Sequence, residues 1–218
     1  MSILAGVKNS IISRLFKGIK YWYVTYVSNL NRSKFGYIDD TVHLAPPLTF
    51  TKKENIYLYG NNSLRDAKIF STNARFIMRP YAGAAEGLRV STGNHAMIVG
   101  RFYRTIKESE KPAGLDKDVI IEEDAWIGRN VTLLPGVIVG RGAIVGAGAV
   151  LRSSIPPYSI AIGNPARVIG FKFSPQEVLE HERLLYPEEE RLSENVLNEN
   201  YNKYFMNRLK DIKSYLKV

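Results

Sequence analysis

The sequence predicts a mainly β repeat fold, a coil of very short strands and sharp corners with helical segments at both ends. Three observations point to it. Aliphatic residues recur every six positions as Ile121, Ile127, Leu133, Val139, Val145 and Leu151, a period that matches neither the 3.6 of an amphipathic helix nor the alternation of a lone strand. The fifth place of each hexad is small, with Ala125, Val131, Val137, Ala143 and Ala149, as the inside of a narrow coil requires. The fourth place holds Asp124, Asn130, Gly136, Gly142 and Gly148, the residue types that tolerate positive φ. Each hexad thus reads as a short strand whose first residue points inward, followed by a corner.

Taken in order, residues 1–36 carry Lys8, Arg14, Lys17, Lys20, Arg32 and Lys34 and no acid. Ile3, Val7, Ile11, Leu15 and Ile19 recur every four residues with cations largely between them, which predicts a basic amphipathic helix. Its longest uncharged run, Tyr21 to Asn31, is too short to cross a bilayer, and no cleavage site of a secretory signal follows an apolar core. Two readings stay open for its apolar stripe, binding at a membrane surface or packing under the coil or on a neighbouring subunit. Between residues 40 and 100 the rhythm continues in worn form, with Leu58, Leu64, Phe70 and Phe76 at first places and Asn61 and Asn73 at corners. It slips over residues 77–89, expected to hold an irregular coil or small loop, and restarts at Val90 with Gly93 at its corner. Residues 101–118 have no period and many charges, the marks of an extruded loop. After the repeats, Ser174-Pro175-Gln176-Glu177 is a helix start, with a serine cap and a proline in the first turn. One or two helices are expected to follow it. The division is therefore a helical segment over 1–36, a repeat domain over 37–173 and a helical extension over 174–218.

The hexads resemble the [LIV]-[GAED]-x-x-[STAV]-x repeat of the hexapeptide-repeat acyltransferases. Ile127-Gly128, Val139-Gly140 and Val145-Gly146 fit it fully, and Leu133-Leu134 departs at its second place. The resemblance implies a left-handed parallel β-helix with three hexads per triangular coil, assembled as a homotrimer with active sites between subunits. Ile155-Pro156-Pro157-Tyr158 and Gly163-Asn164-Pro165-Ala166-Arg167 are similar to the exit of the xenobiotic and sugar acetyltransferase branch, and Asn94-His95-Ala96-Met97 stands ahead of a polar insertion where that branch carries its catalytic histidine. The likeness covers roughly residues 55 to 175. It implies acetyl-CoA as acetyl donor, lying in a groove between adjacent β-helices, and a loop that reaches toward the neighbouring subunit to help form the acceptor pocket. The positions that match family contacts to the coenzyme are Trp126, Arg129, Ala147, Arg152, Asn164, Pro165 and Arg167. Ala147 would offer a backbone amide to the pantetheine arm, and Arg152 and Arg167 would meet phosphates.

The chemistry narrows the base. Acetyl transfer to an alcohol needs a group that takes the hydroxyl proton, and imidazole, with an ordinary pKa near ~6.5, suits that task. Only His43, His95 and His181 are present. His181, between Glu180 and Glu182 in an expected helix, reads as a surface residue. His43, between Val42 and Leu44, could be a cap or an acceptor contact. His95, with its Asn-His-Ala-Met context at the edge of the repeats, is the candidate base.

Composition bounds the rest. The 218 residues hold no cysteine, which excludes disulfides and thiolate nucleophiles or metal sites and suits a reducing cytosol. The net charge of +9 suggests an anionic partner such as coenzyme A phosphates, a sugar nucleotide, an anionic polysaccharide or a membrane surface. No recognised nucleic-acid module accompanies it. The favoured function is an acetyl-CoA-dependent O-acetyltransferase acting on a carbohydrate acceptor in surface or capsular polysaccharide biosynthesis, with a cytoplasmic location either free or at the inner face of the membrane. The alternatives are an N-acetyltransferase of an amino sugar nucleotide, a xenobiotic acetyltransferase and a non-catalytic β-helix scaffold. A zinc enzyme of the γ-carbonic anhydrase type, which shares this fold, is excluded on ligand count, since the three histidines lie far apart in the chain; no metal is expected.

Overall fold

The computed structural model describes residues 2–217, and their side chains from residue 11 onward. A long helix, α1 (Ser2–Tyr26), leads through two short 3-10 turns into the first coil. That coil is β1 (Tyr37–Ile38), β2 (His43–Ala45) and β3 (Thr49–Phe50). The second is β4 (Ile56–Leu58), β5 (Ser63–Arg65) and β6 (Lys68–Phe70), and the third β7 (Phe76–Met78), β8 (Gly83–Ala84) and β9 (Arg89–Ser91). After a long excursion come β10 (Val119–Ile121), β11 (Trp126–Ile127) and β12 (Thr132–Leu133), then β13 (Ile138–Val139), β14 (Ile144–Val145) and β15 (Val150–Leu151). A last turn holds β16 (Ser159–Ile162), with β17 (Arg167–Phe171) returning antiparallel beside it. The strands stack as three parallel sheets, β1-β4-β7-β10-β13, β2-β5-β8-β11-β14-β16 and β3-β6-β9-β12-β15, the faces of a left-handed parallel β-helix.

The hexad explains this stacking. Ile121 pairs with Val139, Ile127 with Val145 and Leu133 with Leu151, so three hexads close one triangle and every first-place residue lies over its equivalent. All six are buried, as are the five small residues of the fifth places. The five corners all take positive φ, from 55° at Asp124 and Asn130 to 83° at Gly136. One continuous apolar core therefore runs from Val42 to Val168.

The lower coils correct the sequence reading. Asn61 turns a corner as expected (φ 50°), but the next corner, Asp66 (φ 43°), comes only two residues after Leu64. The register moves by one, so Ile69 is fully buried and Phe70, the expected first-place residue, is 44% exposed. Phe76 is buried, but Met78 holds the place that pairs with Leu58 and Ile121. From there Met78, Ala84 and Val90 keep the six-residue spacing, with corners at Tyr81 (φ 61°) and Gly87 (φ 89°). Residues 77–89 are thus regular coil, not a loop. A small alanine at a first place and a tyrosine at a corner concealed the hexads.

The extension forms three helices, α2 (Pro175–Leu185), α3 (Glu194–Tyr204) and α4 (Leu209–Leu216), where one or two were expected. Ser174 caps α2, its hydroxyl accepting from the Glu177 amide while the Glu177 carboxylate accepts from the Ser174 amide at 2.8 Å. The anchor on the β-helix is Glu182, whose side chain is 1% exposed. It accepts from Arg141 (3.1 Å), from the Tyr158 hydroxyl (3.0 Å) and from the Leu192 amide. Burial and the adjoining Glu182 carboxylate push the Tyr158 phenol far up, which keeps it a neutral donor. His181 is half-buried against Tyr158 and Phe173, with ring centroids 5.8 and 5.2 Å away, and so is a packing residue and not the surface residue expected.

Two glycine corners separate backbone strain from packing. At Gly148 (φ 72°) a Cβ would meet open space, whereas at Gly142 (φ 63°) it would stand 2.5 Å from the Tyr158 ring. Gly148→Ala should cost about 1–2 kcal/mol for the left-handed conformation alone. Gly142→Ala should lose a further ~1–3 kcal/mol from overpacking, read by urea denaturation. Equal losses would contradict the account.

Candidate active site

The chain leaves the third sheet after Ser91 and rejoins the first at Val119, so the excursion replaces one corner of the triangle. Its two ends are tied where they meet: the Lys117 amide donates to the Thr92 carbonyl (2.9 Å), and the buried Thr92 hydroxyl donates to the Ala74 carbonyl (3.1 Å). Arg75 reaches up from the coil below and binds Asp118 through two guanidinium nitrogens at 2.9 and 2.6 Å. Among the described residues the segment holds two 3-10 turns, Tyr103–Thr105 and Glu108–Glu110, and no strand.

A carboxylate knot fixes the fold-back. Asp116 accepts from Lys111 (2.7 Å), Asn73 (3.0 Å) and the Asn94 amide (3.2 Å), and Glu108 accepts from Asn73 at 2.6 Å. Burial pushes the Asp116 carboxyl up, but hydrogen bonds from Lys111 and Asn73 outweigh it and hold its pKa below the usual range. Burial likewise pulls the Lys111 ammonium down, and its bonds to Asp116 and Glu108 leave it above the usual value. Asn73, expected at a corner, is instead the coil's own contact with the loop. Sequence reasoning missed this cluster because Asn73 lies 43 residues before Asp116.

His95 stands beside the knot, exposed, with its ring centroid 5.4 Å from that of Tyr103. It borders two cavities. One, of about 520 Å³, is polar and reaches Phe70, Asn73, Asn94, Lys111 and Asp116. The other, of about 650 Å³, is walled by Met97, Val99, Phe102 and Tyr103. An imidazole at their junction is open to an acceptor's hydroxyl from either side. His43, on β2 in the first coil and exposed, lines neither.

The residues expected to hold the coenzyme divide between two edges of the prism. Trp126 points outward from β11, its indole laid over Gly83, where a Cβ would come within 3.2 Å of the ring. At the corner between second and third sheets the backbones stack closely, since a Cβ on Gly128 would stand 2.7 Å from the Ala147 amide nitrogen. Arg129, Ala147 and Asn164 therefore climb one edge on successive coils, with the Gly148 amide donating to the Arg129 carbonyl at 2.8 Å. Pro165 and Arg167 continue that edge into β17, where the Arg167 guanidinium lies 5.4 Å from the Tyr215 ring centre of α4. Arg129 pairs with Glu86 one coil below (3.2 Å). Arg152 follows β15 and so lies on the other edge, between third and first sheets, which is also where His95 emerges. Within one chain, then, the third sheet separates His95 and Arg152 from the other six.

The family described as "Bacterial transferase hexapeptide (six repeats)" matches residues 118–153. The chain is 34% identical over 115 residues to the "Probable macrolide acetyltransferase" of Lysinibacillus sphaericus, covering 48% of this chain and 64% of that protein. It is 49% identical over 51 residues to the "Putative lipopolysaccharide biosynthesis O-acetyl transferase WbbJ" of Escherichia coli K12, covering 23% of this chain and 26% of that one. Both relatives are thus matched over less than two thirds of their length. In fold it resembles a hexapeptide-repeat acetyltransferase of Vibrio cholerae solved with acetyl coenzyme A, with TM-score 0.55, 20% identity and coverage of 72% of this chain and 85% of that one.

The knot gives the loop a pH window. A carboxyl held below its ordinary value adds stability above that value and loses it as pH falls; an ammonium held above its ordinary value adds stability until pH rises past it. Amide exchange across residues 94–117, taken relative to the intrinsic rate at each pH, should stay slow from about pH 5 to 9 and quicken below about pH 4. Asp116→Ala should quicken it throughout while β13–β15 keep their protection. Slow exchange in that variant would show that the knot does not hold the loop.

Proposed function

We propose that this chain, a hexapeptide-repeat protein with the left-handed β-helix of the acetyltransferases, transfers acetyl from acetyl-CoA to a hydroxyl of a carbohydrate, in the synthesis of a surface or capsular polysaccharide on the cytoplasmic side of the membrane. The observation that carries the reading is His95, an exposed imidazole at the junction of a polar and an apolar cavity, on a loop held in place by its own carboxylate knot. The neutral ring takes the acceptor's proton as its oxygen attacks the thioester carbonyl. The tetrahedral intermediate then collapses, the carbon–sulfur bond breaks, and the imidazolium returns its proton to the leaving thiolate. Backbone amides at the tight corners are the donors for the oxyanion.

The division of candidates between two edges supports a homotrimer. His95 and Arg152 of one copy would face Trp126, Arg129, Ala147, Asn164, Pro165 and Arg167 of the next, so that the coenzyme lies along the groove between copies. Asn73, Asn94, Lys111 and Asp116 offer the donors and acceptors that a sugar ring demands, and the likeness to WbbJ favours the same acceptor class. A second reading, a bulky apolar drug as acceptor, draws on the walls made by Met97, Val99 and Phe102 and on the likeness to the macrolide enzyme.

Mass spectrometry of a panel of glycans, sugar nucleotides and macrolides incubated with acetyl-CoA tests the reading. One acetyl group on a carbohydrate hydroxyl is expected; acetylation of an amine or of a macrolide alone would replace the proposal. His95→Ala should lower turnover by about 10²–10⁴-fold with little change in coenzyme affinity. Arg167→Ala should weaken acetyl-CoA binding by roughly 10-fold or more, as loss of a charged hydrogen bond to phosphate does, with the turnover number nearly kept. A His95 variant with most of its activity would remove the assigned base.

A further inference from the structure

The N-terminal helix leaves a whole face unoccupied. At 100° per residue, Ile11, Trp22, Leu15, Tyr26, Ile19, Ile12, Tyr23 and Phe16 fall in that angular order within an arc of about 140°. All are between 41% and 68% exposed. The opposite arc carries Lys20, Ser13, Lys17, Arg14 and Thr25, with Val24 and Tyr21 among them. Ile3 and Val7 of the expected stripe lie outside the residues whose side chains are described. The stripe does not pack under its own β-helix. Among the described residues the helix is held at its end: Thr25 is buried and its carbonyl accepts from the Leu48 amide at 3.0 Å, and just beyond it Asn29 donates to the Leu48 carbonyl at 2.8 Å. Arg32 adds bonds to the Asp39 and Val42 carbonyls. The base of the prism thus carries a fixed root from which the apolar face projects.

We propose that α1 lies in the plane of a membrane whose surface is anionic, with this face among the acyl chains. Charge selects the occupant. Residues 1–36 hold six cations and no acid, two thirds of the protein's net charge of +9. In a bundle of second copies, Arg14, Lys17 and Lys20 of neighbouring helices would repel with no carboxylate within the segment to pair them, whereas acidic headgroups attract every one. Aromatic residues gather toward the rooted end, as Trp22, Tyr23 and Tyr26, the amphipathic rings that settle at headgroup depth. No described helix is long and apolar enough to cross a bilayer, so the contact is along the surface. It needs neither the acetyl donor nor the acceptor, and it stands whether or not the catalytic reading does.

Sedimentation of the full-length protein with vesicles tests it. The protein should pellet with vesicles of phosphatidylcholine containing about one third phosphatidylglycerol and stay in solution with phosphatidylcholine alone. Replacing Arg14, Lys17 and Lys20 by glutamine should lower the partition coefficient on the order of 100-fold, at about 1 kcal/mol per cation. Phe16→Glu with Ile19→Glu should abolish binding. Because that pair could disturb the helix, Trp22 fluorescence in an otherwise native Trp126→Phe chain is the second measurement, and a blue shift on adding anionic vesicles is expected. No pelleting and no shift would overturn the proposal. So would a Phe16→Glu/Ile19→Glu protein that keeps its vesicle binding, or one whose only change is a smaller mass by light scattering, which would give the face to another copy.

Discussion

Closure of the triangle after three hexads is the constraint on which the rest depends. A coil of that size has room for one side chain from each strand and a small one before it, so the interior is a column of Ile, Leu, Val and Ala stacked on their own equivalents. The chain can hold that column only if it turns sharply between strands, and each turn needs a residue at positive φ. Neither half is sufficient alone: strands of two or three residues have too few ladder bonds to persist without the column, and the column has no geometry without the corners. Strain at a corner such as Asp124 or Asn130 is therefore offset by burial of the residue that follows it and of those three away on either side.

The same constraint decides where chemistry can be placed. A regular corner exposes little beyond backbone and one short side chain, so it can form a groove but not a cavity. The molecule makes the two cavities around His95 by abandoning one corner, between β9 and β10, and tying the excursion back with Thr92, Asp116 and Asp118. Coils above and below continue their register across the gap, as the pairing of Met78 with Ile121 shows. His95 consequently rides on irregular chain that is nonetheless anchored at both ends and at its middle, while the glycine corners of the opposite edge stay flat enough for a long, thin molecule to lie along them.

Legibility in the sequence follows from how local each feature is. The upper coils could be read because inward place, small place and corner fall within one hexad and repeat without a gap. Below, one early corner at Asp66 shifted the frame, and Phe70 looked like core because an aromatic residue is apolar wherever it points. Ala84 and Tyr81 satisfy the geometry without resembling the pattern, so regular coil was mistaken for a loop. The knot of Asn73, Lys111 and Asp116 and the trio of Arg141, Tyr158 and Glu182 left no trace, since each joins residues from distant segments and charge alone marks no partner. The division of the groove residues between two edges was equally hidden; it depends on counting corners.

Charge is where the structure changes the meaning of a number most. A net charge of +9 suggests an anionic partner, from coenzyme A phosphates to a membrane surface, and two thirds of the excess sits in residues 1–36, at the foot of the prism. Along the groove edge, Arg129 is engaged by Glu86, and at the top coil Arg141 is engaged by Glu182. Under the proposed function, what would draw a phosphate there is a small number of placed cations, Arg167 above all, acting at short range where Coulomb attraction is least screened. The bulk of the positive charge lies elsewhere. A charge spread over a helix that is free along its apolar face acts at the range of a surface, not of a binding site, and its root on Leu48 couples the orientation of that surface to the axis of the β-helix. The proposed groove runs parallel to that axis, so whatever holds the helix flat would also set the direction from which the proposed acceptor and coenzyme approach.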